Sequence, residues 1–301
     1  MEMPSAIHSE TEPASGLRTW KLTVAYDGTS FKGWQVQPGE RTVQGELQAA
    51  LRRITGEAPL PQGSGRTDAG VHALGQVASF KLAAPIPAEN LLRALNRTLP
   101  ASIRVLEAKP VRNTFHARHS AVGKTYEYRV FEGAICPPFL APYVYACPWP
   151  LKLAPLNEAA SVFEGEHDFL SFAASDPDLT TRRNAAEIKD VGNLPPRPGF
   201  IVKPPRAATV RTIFSSAWEE RAVEGGRLLV YRVRGSGFLH HMVRNLVGSM
   251  IEVGRGRLPA SAMAPMLAAR NRSAAGPTAP AQGLFLVSVE YDEKEFPLET
   301  K

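Results

Sequence analysis

The sequence has little from which to build a secreted, membrane-spanning or metal-dependent protein. Its two cysteines, Cys136 and Cys147, are too few for a disulfide framework and lack metal-ligand spacing, so both are expected as buried thiols in a reducing compartment. No apolar run approaches the ~20 residues of a membrane-spanning helix, and the N-terminus has no basic region followed by an apolar one, which argues against insertion and secretion. His116 and His119 lie close together, but no third ligand with usable spacing accompanies them, so no metal site is expected there. Acidic charge is also in deficit. Against 35 Lys and Arg stand 29 Asp and Glu, a formal net charge of +6, which favours an anionic partner such as nucleic acid.

What is present is enough apolar material, 44% of 301 residues, for one large or two medium domains. Residues 1–17, rich in Ser, Pro, Glu and Ala, read as a disordered tail. Trp20, Leu22, Val24 and Tyr26 then alternate with less apolar residues as in a strand with one buried face. Thr42 is placed to cap a helix carrying Val43, Leu47, Leu51 and Ile54, with Gly56 near its end. Pro87 opens a second helix with Leu91, Leu92, Leu95 and Leu99, closed by Pro100. With strands at 76–82 and 102–108, this is a strand, helix, strand, helix, strand half of an α+β protein.

The second half repeats the alternation less regularly. Lys124 to Phe131 reads as a strand, with Tyr126, Tyr128 and Val130 on one side. Pro137 to Pro150 is a proline-rich loop, and a helix carrying Leu153, Leu156 and Phe163 stops near Gly165. Residues 174–210, with Arg182-Arg183 and Pro195-Pro196-Arg197-Pro198, have no legible element and read as an atypical loop or insertion. Strand patterning returns at 211–214 and 228–233. Then Phe238, Leu239, Met242, Val243, Leu246, Val247, Met250 and Ile251 form the longest helical pattern, with Gly254 as its stop. At about 100° per residue, His240 and His241 would diverge on such a helix, so they are read as helix-face residues rather than ligands of one ion. Arg244 lies just past the apolar arc, where its stem can pack and its head can reach a pocket. Leu284 to Val289 is the closing strand.

The stretch that organises these elements is Gly63-Ser64-Gly65-Arg66-Thr67-Asp68-Ala69-Gly70-Val71-His72. A carboxylate and a guanidinium two residues apart among three glycines suit a loop that a ligand approaches closely. A dinucleotide fingerprint would need glycine where Asp68 stands, and a P-loop would need lysine where Val71 stands. A surface turn whose aspartate caps its own backbone is the plain alternative.

The run Gly65 to Val77 closely resembles the catalytic loop of the TruA family of tRNA pseudouridine synthases. Ordered blocks elsewhere are similar to the same family: Tyr26 to Gln35, Phe115 to Arg118, Lys124-Thr125-Tyr126-Glu127-Tyr128, His167 to Phe172, Gly237 to Gly248 and Ala275 to Leu284. The resemblance implies that Asp68 is the essential aspartate, with Arg66 as its partner, that Tyr126 lies against the target base, and that Arg244 is an active-site arginine. It further implies a pseudouridine synthase fold: a curved, mostly antiparallel sheet from two similar α/β halves, here 18–112 and 113–292, with helices on one face and a central cleft. A short tail, 293–301, would follow. The family's substrate would be uridines 38, 39 and 40 of the tRNA anticodon stem-loop, its state a cytoplasmic homodimer, and its cofactors and metals none.

That chemistry suits the residues. Isomerising uridine breaks the N1 glycosidic bond, turns the base and joins C5 to the ribose, a task for an ionised carboxylate near C1′ or C2′. A cation such as Arg66 or Arg244 would keep Asp68 ionised. Whether Asp68 attacks covalently or acts as a base stays open. Tyr126 would stack on the uracil and could take the C5 proton, while basic side chains hold phosphates as the base flips out. Two other functions fit the same elements: an RNA-binding module without catalysis, and a glycosidic-bond hydrolase using Asp68 with water.

Overall fold

The structure, a computed structural model, describes residues 16–174 and 206–295. The first half holds β1 (Arg18–Tyr26), α1 (Val43–Thr55), β2 (Gln62–Gly63), β3 (His72–Leu82), α2 (Ala88–Thr98) and β4 (Ile103–Val111). The local signals act as expected. The Thr42 hydroxyl accepts from the Gly45 amide at 3.3 Å, and Gly56, in the left-handed region, donates back to the Arg52 carbonyl. Pro87 precedes α2, and Leu91 and Leu95 are its fully buried side chains. β4 runs on through Pro110, which an outermost strand tolerates because one side of its backbone has no ladder to donate to.

The second half holds β5 (Ala121–Gly133), β6 (Tyr145–Ala146), α3 (Leu153–Ser161), β7 (Gly165–Asp168), the short α4 (Arg206–Thr209), β8 (Val210–Val223), β9 (Gly226–Gly235), α5 (Met242–Gly254), α6 (Met263–Ala268) and β10 (Leu284–Tyr291). Two expectations change. The proline-rich loop contains a short strand, β6, parallel to β5. The long helix begins at Met242, not at Phe238, so Phe238 and Leu239 of the apolar pattern belong to the approach to the helix.

The ten strands of the described residues form one sheet in the order β4-β1-β3-β10-β5-β9-β8-β7, with β2 beside β3 and β6 beside β5. Pairing is antiparallel except for β5 with β6 and β10 with β3. The expected α+β architecture with a mostly antiparallel sheet is what the chain forms. Leu47, Leu91, Leu156 and Met250, from four helices, share one core with Trp20, Leu22, Tyr128 and Tyr231 of the sheet. On the opposite side of β3, Val77 packs with Phe115 and Ala117 of the segment between β4 and β5.

β10 is the last strand in sequence and lies in the middle of the sheet. It meets β3 through Phe285 opposite His72 and Leu286 opposite Ala73, immediately after the Asp68 loop. This explains why β3 starts at His72, four residues before the alternating pattern begins. Among the described residues no helix is long and apolar enough to cross a membrane. Arg182, Arg183 and the 195–198 proline segment lie outside the described residues, as does most of the 174–210 stretch.

Candidate active site

The Asp68 loop rests on a floor made by the chain's opening segment. Thr67 is buried; its hydroxyl shares a 2.8 Å hydrogen bond with the Tyr26 hydroxyl, and its carbonyl accepts from the Trp34 amide at 3.0 Å. Gly33 is in the left-handed region at φ 87°, and a Cβ there would stand 2.6 Å from the Thr67 carbonyl oxygen, so glycine is required on both counts. The loop's stem is held by Gln76, which accepts from the Ser64 hydroxyl at 2.7 Å and donates to the Gly65 carbonyl at 2.9 Å. At its far end His72 is buried against Phe285. Its Nδ1 accepts from the Gly28 amide at 3.0 Å, which leaves Nε2 to donate to the Pro142 carbonyl at 3.2 Å. Burial pushes this imidazole's pKa down, in keeping with that neutral form.

Asp68 itself is 18% exposed and looks across to residues from the start of α5. Arg244 Nη1 donates to its Oδ2 at 2.8 Å, and Arg244 Nε donates to the Ala279 carbonyl at 2.8 Å. The arginine sits on the first turn of α5 and is backed by the 275–284 segment. That segment comes so close to α5 that a Cβ on Gly248 would overlap the Pro277 carbonyl. His240 Nε2 lies 3.4 Å from Asp68 Oδ1, and His241 Nε2 lies 3.3 Å from Oδ2.

The histidines correct a sequence expectation. Because α5 starts at Met242, His240 and His241 are not on a helix and do not diverge. His241 takes φ 59°, a left-handed conformation costing an L-residue about 1–2 kcal/mol, and its ring lies 4.0 Å from that of His240. Strain of this kind is commonly held at functional sites. Among the described residues, Asp68, His240 and His241 are the one group of three such donors close enough to share a metal ion. The rings of His116 and His119 lie 4.3 Å apart. Cys136 is half-buried rather than fully buried, Cys147 is buried, and neither forms a disulfide.

Opposing effects act on the Asp68 carboxyl. Burial favours the neutral acid, but the hydrogen bond from His240, the charge of His241, and the hydrogen bond and charge of Arg244 together outweigh it. The pKa falls below the ordinary carboxylate value, and the group is an anion at neutral pH.

The carboxylate opens into a cleft of about 830 Å³, within the range that holds a small ligand or one nucleotide. Arg66 lines this cleft and is exposed, whereas the direct 2.8 Å contact to Asp68 comes from Arg244. Tyr126 forms part of the wall, 8% exposed, with Phe238 edge-on at 4.9 Å. Its hydroxyl pKa is raised, by burial first and then by Tyr26 and Asp68, so it enters any reaction as a neutral phenol. Tyr128, two residues on, lies beneath, its hydroxyl donating to the Pro280 carbonyl at 2.8 Å.

Sequence reasoning left Lys124 without a role. It is on β5, two residues before Tyr126, and its Nζ donates to the Ser64 carbonyl at 2.6 Å. Burial, then the charges of Arg118 and Arg211, lower its pKa to about 8. All three cations line the cleft. The available signal was that Lys124 falls on the same side of its strand as Tyr126, Tyr128 and Val130.

The four expected site residues, Asp68, Arg66, Tyr126 and Arg244, thus border one cleft or lie in contact with its carboxylate. Comparison with known proteins gives the same picture of relatedness. A family model described as tRNA pseudouridine synthase matches residues 22–120 and 199–292; Arg66 and Asp68 fall in the first block, Arg244 in the second, and Tyr126 between them. The chain is 50% identical over 275 residues to tRNA pseudouridine synthase A of Solibacter usitatus, covering 91% of this chain and 100% of that protein. It is 41% identical over 273 residues to the protein of the same name from Moorella thermoacetica, covering 90% and 98%. With that of Bacillus pumilus the identity is 43% over 274 residues, covering 90% and 98%.

Proposed function

The chain belongs to the tRNA pseudouridine synthase family and is an isomerase, and from that premise we propose that it converts uridines 38, 39 and 40 of the tRNA anticodon stem-loop to pseudouridine. The observation that carries the assignment of its chemistry is the 2.8 Å bond between Arg244 and Asp68, residues 176 positions apart, at the wall of a nucleotide-sized cleft. An anionic carboxylate facing a pocket lined by cations suits a reaction centre that develops positive charge on ribose beside phosphate groups.

In this reading the target uridine is flipped into the cleft and its base stacks on Tyr126. The N1–C1′ bond breaks, and positive charge at C1′ is met by Asp68, acting either as nucleophile at C1′ or as base at C2′. The base turns, C5 joins C1′, C5 loses its proton and N1 gains one. Atoms and electrons balance within the nucleoside, so the reaction needs no oxidant. As a neutral phenol, Tyr126 can accept the C5 proton only while passing its own hydroxyl proton on. Arg244 keeps Asp68 ionised and oriented. Arg66 at the cleft wall, with Lys124, Arg118 and Arg211, holds the backbone of the flipped nucleotide. The net charge of +6 supports an anionic partner such as tRNA, and a tRNA substrate would place the enzyme in the cytoplasm. We further propose a homodimer and, within each chain, two halves, 18–112 and 113–292, that meet where β3 pairs with β10.

An unmodified tRNA transcript labelled with tritium at uracil C5 tests this reading. Isomerisation releases tritium to water without freeing uracil. Free uracil would mark a hydrolase, and binding with neither product would mark an RNA-binding module.

A further inference from the structure

Asp68, His240 and His241 each offer one donor atom, and the three atoms lie within 4.8 Å of one another. Two donors on a zinc-like ion, each at about 2.0–2.2 Å, lie at most about 4 Å apart, so a slight closing of the side chains would bring all three onto one ion. We propose that these three side chains form a binding site for a divalent transition-metal ion of the zinc, cobalt or nickel class, and that occupancy of this site reversibly inhibits the enzyme.

The donor set selects the ion. Two imidazoles and one carboxylate suit zinc, cobalt and nickel, whereas magnesium and calcium prefer oxygen donors. The side chains of His240 and His241 are 35% and 29% exposed, so an ion reaches them through the open cleft, where water can complete its coordination. Arg244 bears against such a site because its guanidinium occupies Asp68 Oδ2. It leaves Oδ1, the oxygen nearest His240, for the ion, and its charge makes the site weaker than a structural zinc centre. The inhibition follows from the position. An ion on Asp68 Oδ1 neutralises the anion and fills the space that ribose C1′ must approach. This part of the proposal rests on the reading of Asp68 as the reacting carboxylate.

Cobalt titration of the full-length, metal-free protein reads the site directly through the visible absorption bands of bound Co²⁺, with no need of activity. The expected result is one equivalent bound through these residues. The bands should be lost in His241→Ala and His240→Asn, weakened in Asp68→Asn, and kept when His116 and His119 are both changed to Ala. Thermal melting of each variant separates loss of the site from loss of the fold. In parallel, Zn²⁺ at about ten times its dissociation constant or more should lower the wild-type rate of tritium release by about ten-fold or more, with recovery on adding EDTA. Cobalt bands that survive in folded His240→Asn and His241→Ala, or that vanish only with His116 and His119, would overturn the site. Binding at the three residues with an unchanged rate would overturn the inhibition. If Asp68→Asn is inactive while the wild type binds no cobalt, the metal site fails and the isomerase reading stands. Full turnover by Asp68→Asn would instead sink the role assigned to Asp68, whatever cobalt does.

Discussion

Ala279 grips Arg244 from both sides. Its amide donates to the Arg244 backbone carbonyl at 3.1 Å, and its own carbonyl accepts from Arg244 Nε at 2.8 Å. With main chain and side chain both tied to one residue, the guanidinium has little freedom left, and its Nη1 meets Asp68 at a fixed angle. Preorganisation of this kind lets a charge act without reorganisation during the reaction.

Arg244→Ala is therefore expected to lower the single-turnover rate at saturating tRNA by about 10²–10³-fold with a smaller effect on affinity. Lysine should not rescue it, because one ammonium cannot serve Ala279 and Asp68 from the same two positions. Losing the arginine also removes an effect that lowers the Asp68 pKa and leaves burial, which raises it. The acid limb of the rate should thus move to higher pH in Arg244→Gln, as a pH profile of single-turnover rates would show. An unchanged saturating rate in Arg244→Ala would assign this arginine to RNA docking.

Asp68→Asn should reduce tritium release by at least about 10²–10⁴-fold, the usual worth of a positioned acid or base, while tRNA affinity stays close to wild type because phosphate contacts dominate it. The wild-type carboxylate is held below its ordinary value of 3.8, so its loss of charge contributes no rate change between pH 5 and pH 8. Filter binding and a tritium-release assay on the same preparation check both statements.

Lys124 supplies a second pH signature, of opposite sign. With a pKa near 8 it is charged below that pH and neutral above it. If it meets a phosphate, tRNA binding should weaken between pH 7 and pH 9. Lys124→Arg, whose charge does not titrate there, should flatten that fall. Lys124→Ala should lower the salt dependence by about 0.7–0.9 in log–log slope, one phosphate's share. Affinities measured over a grid of salt and pH decide the matter.

Gly248→Ala tests how the site is supported. The added methyl would collide with the Pro277 carbonyl, so α5 and the 275–284 segment must part. Overpacking of this kind costs about 1–3 kcal/mol. A lower melting temperature is expected together with a lower single-turnover rate, because the displaced segment carries Ala279. An unchanged melting curve would show that the segment yields freely.

Much of this was legible in the residues. Thr42, Gly56 and Pro87 marked helix ends because capping is local chemistry. Asp68 stood out in a glycine-framed loop and Arg244 at the edge of an apolar arc, but only the resemblance to the TruA family gave them roles at a site. His240 and His241 were misread because the apolar pattern runs through Phe238 and Leu239 without a break, while the turn that ends it depends on a left-handed residue that is not glycine. The start of β3 was missed because His72 and Ala73 pair with a strand more than two hundred residues away. Such pairing leaves no periodic trace. Lys124 escaped notice because its low pKa arises from neighbours brought together only by folding.

The central place of β10 has a consequence for the order in which the protein comes into being. A ribosome makes the chain from its N-terminus, and regions fold as they emerge. Asp68 leaves the tunnel more than two hundred residues before the strand that sits between β3 and β5 and the Ala279 segment that grips Arg244. Until they emerge, a nascent chain lacks the strand that joins β3 to β5 and the contacts that fix Arg244. Folding of the first half alone therefore cannot assemble the Asp68–Arg244 pair, because both partners are held by residues that follow Asp68 by more than two hundred positions.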